Sequence, residues 1–175
     1  DKRFGELKTI NAREMVLLKL MQLVRLLRLY KLLRIGMRAY SFMDYFKGME
    51  NVAAVRRIFG EKTGEVLRNL KVEFTWVGGY MGVNSFNGHI MVNAKYLREG
   101  DKIDIYLDLI HELVHVRQLM EGKELFDVHY SYTERPTELE AYRYAVEEAR
   151  RIGLSDERIC EYLRTEWMSD EDLKE

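Results

Sequence analysis

Residues 101–122 constrain the fold of this chain more than any other stretch, because they have room for one long, uninterrupted helix. Asp101 suits the capping position and Gly122 the stop, and neither proline nor glycine intervenes. At 3.6 residues per turn, Tyr106, Leu109, Ile110, Leu113, Val116 and Met120 gather on one side, which a core would take. Asp104, Asp108, His111, His115 and Gln118 gather on the other. Such a helix needs a sheet or other helices against its apolar flank. Its row of polar side chains then looks outward.

Just upstream the hydrophobic period changes from 3.6 to 2. Residues 71–77, KVEFTWV, alternate as a strand does, and Gly78 and Gly79 interrupt them. Residues 80–84 read as a second strand, 85–88 (SFNG) as a turn, and 89–93 as a third strand. Together they predict a small antiparallel sheet packed on the long helix. A helix is expected over residues 43–59, stopped by Gly60, and a helical turn around 64–70. Downstream comes a tyrosine-rich loop containing His129. Pro136 then opens a helix that Gly153 ends, and Ser155 caps another running to about Met168. The expected class is α+β.

Residues 13–40 also read as helix. Lys19, Gln22, Arg25, Arg28, Lys31 and Arg34 recur at intervals of three, so the polar stripe drifts about 60° per step and winds around the rod. No face stays apolar throughout, so the helix needs cover on several sides. A homodimer is the expected source of that cover, and surface attachment to a membrane is the alternative. Nucleic acid is not an expected partner, since only Tyr30 is interleaved with the basic residues. The expected division is a helical extension over 1–60, serving packing, oligomerisation or latency, and a core domain over 61–175.

Composition narrows the class. Apolar residues make up 47% of the 175 and charged residues 33%, as in a globular chain. No apolar run approaches the roughly 18 residues of a membrane span. Abundant Glu, Lys and Arg with little Gln and Ser resemble a thermophile's usage. Net charge is −1, yet residues 1–40 carry ten Lys/Arg against three Asp/Glu, and residues 101–175 carry ten against twenty. The two ends should attract. Cys160 is the single cysteine, so no internal disulfide forms. With no secretory-type segment read near the start, the expected compartment is the cytoplasm. Cys160 itself is expected to be a small buried side chain.

The chemistry lies in H-E-x-x-H. His111 and His115 are four apart, so both imidazoles share a helix face and can reach one ion. Glu112 lies about 100° round, off that axis but near a water the ion would hold. Two neutral imidazoles plus a carboxylate base is the division of labour of a metal hydrolase. A third ligand is needed. Downstream, residues 137–142 read TELEAY, which offers Glu138 and Glu140, and His129 is a further candidate.

His111, Glu112 and His115, with Glu138, Ala141 and Tyr142 on a later helix, resemble the gluzincin clan of zinc metallopeptidases. In size and order of elements the chain is most similar to the minigluzincins. The resemblance implies a zincin-like core with one Zn²⁺ per chain, held by His111, His115 and Glu138. It also implies Glu112 as general base and a peptide or protein as substrate. Glu140 stays open as the third ligand. The resemblance further implies that the strand His89, Ile90, Met91, Val92 and Asn93 pairs with an extended substrate. His129, Tyr130 or Tyr132 in the loop would donate to the oxyanion. At Tyr142 relatives often carry an Asp that orients a histidine, so that task falls to Tyr142 or Asp108. The first seventy residues lie outside the resemblance. The alternative function is a metal-stabilised, latent or inactive zincin-fold interaction protein, membrane-associated through residues 13–40.

Overall fold

The computed structural model describes residues 38–76 and 78–164. The helix read over 13–40 therefore lies outside the described residues, save its last three positions. Two of those, Ala39 and Tyr40, belong to a strand instead. In chain order the elements are β1 (Ala39–Ser41), α1 (Phe42–Tyr45), α2 (Ala53–Phe59), α3 (Thr63–Asn69), β2 (Lys71–Thr75), β3 (Met81–Val83) and β4 (Ile90–Asn93). Then follow α4 (Ala94–Glu99), α5 (Lys102–Met120), α6 (Pro136–Arg151) and α7 (Asp156–Leu163). The class is α+β.

The sheet has four strands in the order β1-β2-β4-β3, and it is mixed rather than antiparallel. β1 runs antiparallel to β2, and β3 antiparallel to β4, but β2 and β4 are parallel with Val72 opposite Ile90. The turn at residues 84–88 makes β3 and β4 a hairpin: Asn84 N donates to the His89 carbonyl, and Gly88 (φ +71°) completes the reversal. The loop before β3 carries the chain past β2, so β4 rather than β3 lands beside it. β4 is therefore internal, hydrogen-bonded on both sides, and β3 is the edge.

The single helix expected over 43–59 is broken in two. Gly48 takes φ +89°, a conformation no helix accommodates, and a 3₁₀ turn (Met49–Asn51) bridges α1 to α2. These segments belong to the core, not to a separate extension. Phe42, Val55 and Ile58 are buried with Leu67, Val72, Ile90 and Val92, and the compact unit begins at Arg38 rather than at residue 61.

α5 matches its expected bounds. The Asp101 carboxylate accepts from Ile103 N and Asp104 N, and the helix ends where Gly122 turns to φ +77° and Lys123 N reaches back to the Gln118 carbonyl at 2.9 Å. Its surroundings do not match. From Leu107 to Val116 nearly every side chain is buried, histidines included, so the helix is enclosed rather than half-exposed. Met120, read as core, is exposed. α6 closes one flank through Ala141, Ala145 and Ala149, all fully buried at spacing four. A row of methyls lets two helix axes come close, and this pairing brings the first turn of α6 onto the histidines. A second, smaller cluster (Leu107, Ala149, Ile159) anchors α7. Cys160 is exposed, because Ile159 takes the inward position on that helix. No helix among the described residues is long and apolar enough to cross a membrane.

Candidate metal centre

His111 and His115 lie one turn apart in the enclosed middle of α5. Their Nε2 atoms are 2.9 Å apart. Glu138, in the first turn of α6, places Oε2 at 3.2 Å from His111 Nε2 and 3.4 Å from His115 Nε2. All three residues are buried, and together they could hold a metal ion. Among the described residues Glu138 Oε2 faces only these two imidazole nitrogens, with no well-formed hydrogen bond, although it is shut away from solvent. An orphaned buried carboxylate oxygen facing two imidazole nitrogens asks for a cation between them.

Electrostatics point the same way. Burial alone would raise the Glu138 carboxyl, but its contacts with His111 and His115 outweigh that and hold it down to about 2. The positive end of the α6 dipole also favours charge there. Burial pulls the His111 imidazole down toward the neutral form that binds metal. Glu112 differs from its neighbours. It is fully enclosed, its Oε2 has no partner, and burial pushes its carboxyl up to about 8.

His115 is aimed by a partner that sequence reasoning passed over. Its Nδ1 meets Gln118 Oε1 at 2.7 Å. Gln118 Nε2 donates to the Thr137 carbonyl at 2.9 Å and to Glu140 Oε2 at 2.8 Å, which fixes which way the amide points. With its oxygen toward the ring, Gln118 needs a proton on Nδ1 and so leaves Nε2 bare. The signal was present: Gln118 is three residues from His115, hence on the same face. It was read as a solvated polar residue, yet it is fully buried. Glu140 lies in this support, bonded to Arg117 and Lys123 as well, and away from the histidines.

The other candidates divide. Tyr142 touches His111 through its ring, edge to face at 4.4 Å between centroids, and its hydroxyl goes to Tyr132 at 3.1 Å. Asp108 does not orient a histidine; it accepts from the Tyr96 hydroxyl at 2.6 Å, and His111 Nδ1 has no hydrogen-bond partner. Tyr132, Tyr142, Asp108, His111 and Glu112 all line one cavity of about 690 Å³. Its far wall is Gly78, Gly79, Tyr80 and Met81, at the start of β3. His129 projects into solvent and pairs with Asp127, and Tyr130 is also exposed; neither lines the cavity. His89, expected on the substrate strand, is bound to Glu73 at 2.6 Å. Of that strand only Asn93 reaches the cavity. No family model, curated protein or solved structure matches this chain.

Proposed function

We propose that the chain is a zinc-dependent peptidase of zincin-like architecture, with His111, His115 and Glu138 as zinc ligands. The observation that carries this reading is the convergence of three buried donor atoms beside a buried, unpaired Glu112 at the wall of a cavity. Tetrahedral zinc with bonds of about 2.0–2.1 Å spaces its donors about 3.3 Å apart. The spacings here are 2.9, 3.2 and 3.4 Å. Two imidazoles and one carboxylate suit zinc and leave its fourth position for water or substrate. When bound, zinc supplies Lewis acidity, polarising a carbonyl and lowering the pKa of water toward neutrality.

The chain's own groups do the rest. With a cation held by His111, His115 and Glu138, the ionised form of Glu112 is favoured, against the burial that raises its carboxyl without one. Ionised, Glu112 takes the proton from the attacking water and passes it to the leaving amine. Its enclosure keeps bulk water from competing for that proton. Tyr132 keeps its hydroxyl protonated, since burial drives its pKa well above the ordinary range, and it donates to the oxyanion. β3, whose Met81 lines the cavity and which lies at a sheet edge, offers backbone groups to an extended peptide in place of β4. Gln118 holds His115 in the tautomer that presents Nε2.

Glu112→Gln tests the reading. The variant should bind zinc as the parent does and lose peptide hydrolysis by at least about a thousandfold. Equal turnover by the two proteins would sink the mechanism.

A further inference from the structure

The cavity continues past the metal centre, and its far end has a chemistry of its own. Asp108 lies one turn before His111 on the same face of α5. Its Oδ2 accepts from the Tyr96 hydroxyl, and the buried Tyr162 hydroxyl also acts on it; both are neutral groups. No lysine, arginine or histidine among the described residues acts on this carboxylate. Burial pushes its carboxyl up, which is the mark of a carboxylate that has lost water and gained no cation. Glu112, 8% exposed and with Oε2 unpartnered, opens onto the same space. Beside Asp108 the rings of Tyr80 and Tyr96 stand 4.7 Å apart and offer π faces. Glu99 is at the rim. Lys95, the lysine on the lining, has its side chain 73% exposed and lies 4.0 Å from Glu99, so it pairs at the rim and not with Asp108.

We infer that this end of the cavity selects a cationic side chain, lysine or arginine, next to the peptide bond being cut. The inference rests on the peptidase reading for the word "cut", but its binding part does not. The stem of a long basic side chain would run along the outer side of the paired tyrosine rings, which are in contact with each other at 4.7 Å, and its head would meet Asp108. A charge-assisted hydrogen bond and a cation over aromatic rings both strengthen where water is scarce. An apolar side chain would instead strip the remaining water from Asp108 and return nothing. Selection should therefore work in both directions, for the cation and against its neutral isostere.

The test uses two fluorescent decapeptides that differ only in lysine or norleucine, a neutral side chain of similar reach, flanking the cleaved bond. Anisotropy titrations on zinc-loaded Glu112→Gln protein measure binding without turnover. The lysine peptide should bind about ten- to a hundredfold more tightly. Asp108→Asn should cut that ratio by at least about tenfold. Equal binding of the two peptides by the Glu112→Gln protein overturns the inference without reference to any further variant. A preference that survives Asp108→Asn overturns it too. Lysine-selective binding with no cleavage by the zinc-loaded parent would leave the inference standing and remove the peptidase. Cleavage that ignores the lysine would do the reverse.

Discussion

Glu112→Gln should make the metal-free protein more stable at alkaline pH while it destroys activity. Glu112 is enclosed in α5, and burial holds its carboxyl at about 8 in place of an ordinary 4.5. A group whose folded pKa is raised contributes stability that is fully present below its unfolded pKa and is lost as pH rises to the folded value. Between about pH 4.5 and pH 8 the metal-free protein should thus lose on the order of 4 kcal/mol from this one carboxyl. His115 is also raised, by Glu138 and Glu112 against the opposing effect of burial, and adds to the loss on the same side. Glu138 is held down to about 2, so its contribution falls away only below the ordinary 4.5 and leaves this window flat. Glutamine keeps the shape and removes the ionisation. Urea unfolding of chelator-treated parent and variant, at about pH 5.5 and pH 8, should give curves that diverge with pH in the variant's favour. Comparing slopes cancels any fixed cost of burying the amide. Parallel stability–pH curves would refute the claim that Glu112 titrates in a closed site.

Four further outcomes follow from the same geometry. Glu138→Ala should abolish stoichiometric metal measured by elemental analysis, whereas Glu140→Ala should retain it, because only Glu138 faces the imidazoles. Gln118→Leu removes the acceptor for His115 Nδ1 and should weaken zinc by about 10–100-fold in chelator competition. Ala145→Leu adds three carbon atoms where α5 and α6 meet and should cost roughly 1–3 kcal/mol in denaturant unfolding, with zinc affinity falling alongside. Zinc at about a hundred times its Kd should add about 2.7 kcal/mol to stability. In calorimetry that gain should grow from about pH 5 to pH 8, opposite in sign to the metal-free slope, because ligating imidazoles must be neutral.

The donor set was legible because it depends on local arithmetic. His111 and His115 share a face at any i, i+4 spacing on a helix, and Asp101 and Gly122 fix where that helix starts and stops. Glu138 came from the resemblance, since spacing alone left Glu140 and His129 open beside it. Their surroundings were not. Periodicity placed Gln118 and Asp108 on the histidine face, but whether a polar face meets water or another helix is a tertiary fact. α6, with its alanine row, covers part of that face, and the cavity takes the rest. Gly48 carries a comparable lesson: a lone glycine in a helical pattern can be tolerated, and only the packing of Phe42 and Val55 into one core forces the turn there.

The mixed sheet, where an antiparallel one was expected, bears on which strand borders the cavity. Residues 89–93 were expected at the cleft edge because the resemblance implied a substrate-pairing strand just before the motif helix. The loop through Gly78 and Gly79 instead folds β3 onto the outer side of β4. Adding β3 seals β4 into the sheet and hands the edge, with its unpaired backbone groups, to Met81–Val83. It also brings Tyr80 against Tyr96. One hairpin therefore sets both the strand that can pair with a peptide and the aromatic pair beside Asp108. Shortening the Gly78–Gly79 loop should disturb the two together, while His111, His115 and Glu138, built on α5 and α6 alone, should still bind zinc.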